Sequence, residues 1–165
     1  MEQLRTNDAI DVRDLDNKTL GENIQFIVIR LGNEQYGIDI KYIDNIVRMQ
    51  HITRVPKVKK YLKGVINLRG EVIPVMSLRL RMGLDEDVLG RTTRIIILKQ
   101  EQEGNVGIIV DEVKEVVTLN TNDIEKVSHG NNEDSTFFIN GVGKQPNGEL
   151  ISLLDLATIT LEDNY

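Results

Sequence analysis

The chain has 165 residues, 20 Lys and Arg against 26 Asp and Glu, and a net charge of −6; that length suits one compact domain or two small fused units. It has no cysteine, which excludes a disulfide framework, a thiolate metal site and a cysteine nucleophile. No run approaches a membrane span, and the polar N-terminus lacks a signal peptide's apolar stretch, which points to the cytoplasm.

In chain order, residues 1–23 read as a polar, mobile tail. Phe26 to Leu31 predicts a strand, Gly32-Asn33 a turn, and Glu34 to Ile38 an antiparallel return. After Asp39, placed to cap a helix, the spacing of Ile40, Ile43, Ile46 and Val47 predicts a short helical face. Pro56 is expected to end the irregular segment that follows. Gly64 to Leu68 and Val72 to Met76 predict a hairpin around Arg69-Gly70, and Pro74 within it calls for an edge or a bulge. Asp85-Glu86-Asp87 reads as a solvated loop between two halves.

Arg94 to Leu98 and Asn105 to Val110 predict a second opening hairpin. Val113 to Leu119 alternates as a strand, and Asn120 to Asn122 turn the chain. Gly130 to Asp134 reads as a polar, flexible loop. Phe137 to Val142 and Leu150 to Leu154 predict a closing hairpin, with Asp155 to Ile159 a short terminal helix. With three Phe, four Tyr and no Trp, the core must be built from Ile, Val and Leu.

The chain also says one thing twice. Gly37-Ile38-Asp39-Ile40-Lys41-Tyr42-Ile43-Asp44-Asn45-Ile46-Val47 and Gly107-Ile108-Ile109-Val110-Asp111-Glu112-Val113-Lys114-Glu115-Val116-Val117 share their glycine and later aliphatic positions without a gap. Arg69 to Leu78 parallels Asn147 to Leu156, each preceded by a Gly-Val pair, Gly64-Val65 and Gly141-Val142. Two copies of one supersecondary unit share a core and create a seam, where binding sites tend to form. Many short, evenly spaced strands read as small barrels.

Charge is segregated along the chain. Arg48, Arg54, Lys57, Lys59, Lys60, Lys63 and Arg69 fall in a stretch without one acid, whereas Glu101 to Tyr165 holds thirteen acids and three Lys. Such polarity steers a protein toward oppositely charged surfaces or head-to-tail association. Catalytic signatures are missing. His51 and His129 lie far apart with no ligand-spaced neighbours, Asp85-Glu86-Asp87 lacks a calcium loop's alternating ligands, and no glycine-rich phosphate cradle occurs. What stands out is Asn67-Leu68-Arg69-Gly70. An arginine at a hairpin tip offers a rigid five-donor fork to a partner's carboxylates or carbonyls. Gly70 supplies the positive φ, Asn67 braces the turn, and the matching Asn147 shows that the turn does not require arginine.

Phe26-Ile27-Val28, Tyr36-Gly37-Ile38-Asp39-Ile40, Lys63-Gly64-Val65-Ile66-Asn67-Leu68-Arg69-Gly70, Pro74-Val75 and Gly107 to Val113 resemble the CheW family of bacterial chemotaxis coupling proteins, from about residue 24 to residue 159. The resemblance implies an all-β fold with minor short helices, in which two intertwined five-stranded SH3-like barrels pack around a shared core. The domain would span residues 24–160, its interlaced barrels falling roughly at 24–92 and 93–160. It also implies a non-enzymatic adaptor without cofactor or metal, one that binds no nucleic acid and does not insert directly into the membrane. That adaptor would couple the cytoplasmic tip of methyl-accepting chemoreceptors to the regulatory domain of the histidine kinase CheA. It would be a monomer when free and a member of kinase–coupler rings in receptor arrays. By matching position, the receptor side comprises Ile43, Gly64, Asn67, Arg69 and Val113, and the kinase side Gly37, Ile38 and Ile40. One departure is Asn45, where many members carry a glutamate set to pair with the hairpin arginine.

Three other readings compete, the last of them an unrecognised enzyme. A coupling module cut from the kinase or from a receiver-fused coupler would share the motifs; the starting methionine and the polar end after Ile159 favour a standalone chain. A nucleic-acid-binding barrel would use the basic stretch, but it would want aromatic platforms, and that stretch offers only Tyr61.

Overall fold

A computed structural model describes residues 21–100, 104–127 and 135–161. The first half supplies β1 (Asn23–Leu31), β2 (Glu34–Asp39), β3 (Ile43–Arg48), β4 (Leu62–Leu68), β5 (Glu71–Ser77) and helix α1 (Leu78–Arg81). The second supplies β6 (Arg94–Leu98), β7 (Val106–Val110), β8 (Glu112–Asn120), β9 (Ile124–Lys126), β10 (Ile139–Lys144), β11 (Leu150–Leu154) and helix α2 (Leu156–Thr160). The fold is all-β with minor helices, as the β-branched apolar runs predict.

The strands form a five-stranded sheet, β3-β6-β7-β5-β4, and a six-stranded sheet, β8-β1-β2-β11-β10-β9. The sequence repeat maps the first order onto the first five strands of the second. Each sheet therefore seats the opening hairpin of one half between strands of the other: β6 pairs with β3, and β1 with β8. Parallel contacts follow the same rule, Val75 facing Gly107 and Leu153 facing Gly37. The repeated glycine is a packing requirement. A Cβ on Gly37 would lie 2.8 Å from Leu153 Cδ2, and one on Gly107 2.8 Å from Ile95 Cγ2.

Even the irregularities repeat. Strand β3 skips Asp44 in its register with β6, and β8 skips Lys114 in its register with β1. An extra residue on one strand bends it and breaks the alternation of its faces. This bulge explains a failed expectation. The predicted helix over Ile40 to Val47 is a single 3₁₀ turn, Ile40–Tyr42, followed by strand β3. Asp39 does cap the turn, its Oδ1 accepting from the Lys41 N–H at 3.0 Å. The spacing of Ile43, Ile46 and Val47 imitates a helix because the bulge at Asp44 interrupts the strand's two-residue period.

Other boundaries shift for local reasons. Phe137 and Phe138 lie in a 3₁₀ turn, Ser135–Phe138, rather than in β10. The irregular segment runs past Pro56 to Tyr61, and Pro56 sits within it in a turn. Strand β5 is interior to its sheet, but β7 joins it only from Val75 onward, so Pro74 has one pairing neighbour, Val65. Glu22 and Asn23 belong to the fold rather than to the tail: Glu22 N–H donates to Thr121 Oγ1 at 3.0 Å, and Asn23 opens β1. The loop expected at Gly130 to Asp134, and most of the tail, lie outside the described residues. Helix α1 was not expected, yet the repeat announces it. Ser77 and Asp155 occupy the same repeat position, and their side chains cap α1 and α2 by accepting from Leu80 N–H and Thr158 N–H.

The main core cluster joins both opening hairpins, with Ile27, Ile29, Leu31 and Ile38 against Ile96, Leu98, Ile108 and Val110. Burying each such side chain is worth roughly 1.5–3 kcal/mol. The smaller clusters around Ile66 and Ile97, and around Phe26 and Leu153, belong to single sheets. The halves thus share their largest core.

Candidate functional site

The β4–β5 hairpin closes at Leu68↔Glu71, leaving Arg69-Gly70 as a two-residue turn. Both turn residues are left-handed, Arg69 at φ 53° and Gly70 at φ 84°. That combination matches the twist of the flanking strands. Asn67 Oδ1 accepts from the Gly70 N–H at 3.1 Å, bracing the turn as expected. Glycine adopts this conformation freely, but an L side chain is strained in it by about 1–2 kcal/mol. The strain at Arg69 was not legible in the sequence.

The aligned turn of the second half differs. There Lys144↔Leu150 closes a loop of residues 145–149, and Gly148 at φ 88° takes the left-handed place while Asn147 does not. Asn147 Oδ1 accepts from the Glu149 N–H at 2.9 Å. The first half therefore holds its arginine in a tighter and costlier turn than its copy uses. Arg69 is exposed, and its guanidinium forms no ion pair or hydrogen bond with a described residue.

Ile43 and Val113 occupy one repeat position on the outer strands β3 and β8. Both are half-buried and pack on the core cluster that spans the halves. Asn67 is exposed at the end of β4. Asn45 is half-buried, and its Oδ1 accepts from the Ile46 N–H at 2.8 Å, a local bond that restrains nothing on the β4–β5 hairpin. Gly64 is buried at φ 144°, where a Cβ would sit 2.1 Å from the Thr53 carbonyl oxygen. Thr53 and Val65 exchange backbone bonds of 2.8 and 2.9 Å there. Gly64 thus anchors the segment before β4 and presents no side chain of its own.

Of the residues expected on the kinase side, Gly37 and Ile38 are buried and Ile40 is exposed. The accessible part of that segment is the 3₁₀ turn, where Lys41 lies 5.0 Å over the Tyr42 ring and Asp39 accepts from the backbone. Tyr42 stands between two surface grooves. One, of about 540 Å³, runs past Phe26, Ile124 and Leu153; the other, of about 210 Å³, past Leu98, Leu154 and Leu156.

Three arginines and one aspartate whose contacts sequence reasoning passed over hold these surfaces in place. Asp111, directly after the apolar run of β7, is buried and receives the Gly32 N–H at 2.8 Å and Arg79 Nε at 2.8 Å. Arg79 Nη2 reaches its other oxygen, and Arg30 Nη1 stands 3.6 Å away. Burial alone would raise its pKa, but Arg79, the Gly32 amide and Arg30 together hold it below the usual carboxylate range. Arg81 of α1 caps α2: its Nε donates to Ile159 O at 2.8 Å and its Nη2 to Thr158 O at 3.1 Å. A carboxylate directly after the buried run Val106-Gly107-Ile108-Ile109-Val110 was the available signal for Asp111; no local pattern marks Arg81.

Asp85-Glu86-Asp87 is not simply solvated. Glu86 pairs with Lys63 at 2.5 Å, while both Asp87 oxygens are buried without a hydrogen bond of good geometry. Desolvation raises the Asp87 pKa, and the Ser77 hydroxyl, Lys63 and Arg79 offset only part of it. Among the described residues no group of His, Cys, Asp or Glu could hold a metal ion, and no helix is long and apolar enough to cross a membrane. The surface offers charged tips, aromatic edges and grooves, a chemistry for docking proteins.

Comparison with known proteins agrees with this picture. The model of the CheW-like domain matches residues 25–163. A chemotaxis protein CheW of Bacillus subtilis is 38% identical over 131 residues, covering 79% of this chain and 83% of that protein. One of Helicobacter pylori is 35% identical over 144 residues, covering 86% and 84%. The crystal structure of the scaffolding protein TtCheW from Thermoanaerobacter tengcongensis superposes with a TM-score of 0.76 at 30% identity, over 87% of this chain and 92% of that one.

Proposed function

The chain belongs to the CheW-like domain family, and on that premise we propose that it works as the coupler between transmembrane chemoreceptors and the chemotaxis histidine kinase CheA. It is a non-enzymatic scaffold, and its chemistry is recognition by surface groups. In this reading the two sheets, whose hydrogen-bonded orders run from edge to edge, curl as SH3-like barrels. Each barrel draws strands from both halves of the chain, and the seam between the barrels receives the helical tip of the receptor.

The receptor face consists of Ile43 and Val113, which offer paired aliphatic contacts, and of Asn67 and Arg69 on the hairpin, with Gly64 setting the strand beneath them. The kinase regulatory domain docks on the turn carrying Ile40, which Gly37 and Ile38 support from inside. The coupler is cytoplasmic and reaches the membrane only through its receptors, joining alternating kinase–coupler rings.

The observation that carries this reading is Arg69, an exposed, unpaired guanidinium held in a strained turn that the second half makes without arginine. Strain retained at an exposed charged tip points to use of the side chain. The test is a reconstitution of kinase, receptor fragment and coupler, with wild type beside Arg69→Ala. Loss of receptor-dependent kinase control at unchanged thermal stability is expected; full control by the variant overturns the assignment of the receptor face.

A further inference from the structure

The described chain has two non-glycine residues in the left-handed region, and both are basic: Arg69 and Lys57, at φ 60°. Lys57 follows Pro56 in a turn whose third position glycine or asparagine would occupy without strain. The turn lies in the segment between β3 and β4, which Thr53, Lys59 and Tyr61 pin by backbone bonds to Val65, Leu62 and Ser77. Beneath it opens a groove of about 980 Å³, walled on the other side by the linker at Glu86 to Leu89.

Two properties coincide around this groove. Arg54, Lys57 and Lys60 form no ion pair with a described residue, whereas Lys63, deeper in, is neutralised by Glu86. The same groove is lined by exposed aliphatic side chains: Val55 and Val58 at 38% exposure and Leu89 at 60%. Exposed valine and leucine ringed by unpaired cations form an apolar patch with a positive rim, the complement of an acidic segment bearing aliphatic anchors. Nucleic acid fits less well, because Tyr61 is the one aromatic residue of the stretch and is only partly accessible.

We propose that this surface is a docking site for an acidic, amphipathic protein segment, with Val55, Val58 and Leu89 taking its aliphatic side chains and Arg54, Lys57 and Lys60 its carboxylates. The groove shares none of its lining residues with the receptor and kinase faces, and the proposal does not depend on the coupler reading. The strained lysine carries its charge forward on a rigid turn, as Arg69 does on the hairpin.

The test is an amide-shift titration of the full chain with a synthetic peptide of glutamate carrying leucine at every third or fourth position. Shifts should cluster at residues 54–60 and 86–89, and affinity should fall with added salt. Joint substitution Lys57→Glu and Lys60→Glu should weaken binding by about tenfold or more. A second variant, Val58→Ser with Leu89→Ser, removes the anchors without touching charge and should weaken the leucine peptide while sparing the weaker binding of polyglutamate. Amide spectra of both variants report that the fold is kept. Shifts centred elsewhere, unchanged affinity in both variants, or tighter binding of a mixed oligonucleotide or a phosphatidylglycerol vesicle than of the peptide would each overturn the proposal.

Discussion

Arg79 and Asp111 tie the first half's helix to the second half's strand junction, with Arg79 Nε donating to Asp111 Oδ1 at 2.8 Å and the second nitrogen closing a two-point contact. The carboxylate also takes the Gly32 N–H, so one side chain fixes α1, the β1–β2 turn and the β7–β8 junction. Breaking a buried pair of this kind strands the remaining charge.

Asp111→Ala should therefore lose about 3 kcal/mol in urea unfolding at neutral pH. The pH dependence has a definite sign. Because the folded pKa of Asp111 lies below its unfolded value, its contribution is complete above about pH 4 and is lost as acid takes the pH through the folded value. Wild type and Asp111→Asn should converge in stability in acid; a constant gap down to the acid transition would show that Asp111 is not the group titrating.

Asp87 predicts the opposite sign. Its pKa is raised, chiefly by desolvation, so its ionised form opposes folding at neutral pH, and stability should be regained as acid protonates it. Asp87→Asn should stabilise the protein by about 1 kcal/mol at neutral pH, and the gain should vanish below the carboxylate range. Unfolding curves at the two pH values decide it; destabilisation at neutral pH would mean that the carboxylate has a partner.

Arg81 holds two carbonyls of α2 while its guanidinium stacks 4.8 Å over Tyr61 and 4.9 Å over Phe138. Arg81→Ala should cost about 2 kcal/mol, and Arg81→Lys should recover little, because an ammonium lacks the planar fork. Hydrogen exchange should also quicken in residues 156–160. Full rescue by lysine would reduce the contact to simple charge.

Two glycines separate packing from backbone conformation. A Cβ at Gly64 meets the Thr53 backbone at 2.1 Å, whereas one at Gly70 meets nothing within 4 Å. Gly64→Ala should lose about 3 kcal/mol or more and displace the segment carrying Lys57, while Gly70→Ala should lose only about 1 kcal/mol. Thermal melts of the two variants read the difference directly.

Arg69 gives the sharpest division between stability and use. Asparagine tolerates the left-handed region better than arginine does. Arg69→Asn should match or exceed the wild-type melt, by up to about 1 kcal/mol, while weakening receptor-dependent kinase control. A variant that is more stable and still couples fully would leave the retained arginine without a reason.

The sequence made most strands legible because runs such as Arg94-Ile95-Ile96-Ile97-Leu98 permit little else, and β6 spans those residues. The repeat foretold the paired hairpins and, through Ser77 and Asp155, contained α1 before it was seen. It misled at Ile43 to Val47, where a bulge shifts one residue out of the strand's alternation and leaves a spacing proper to a helix. Strand β9 was missed, since Ile124–Lys126 is too short to show a period. At the candidate site, Arg69 stood out by type and place, but its positive φ did not, because nothing in Leu-Arg-Gly announces which turn will form. Arg81 was invisible because its partners are carbonyls nearly eighty residues away.

The exchange of hairpins between the halves has a mechanical consequence. In most two-lobed proteins the lobes meet across a packed surface and can rock about a linker. Here the halves are also joined by backbone hydrogen bonds within each sheet, at β3–β6, β1–β8 and both parallel seams. Separating the halves would mean tearing both sheets, so the lines along which the molecule can flex run between the sheets, across their shared core, and not between the halves. A surface on either half is therefore held by strands of both, and damage to one half's strands reaches both sheets.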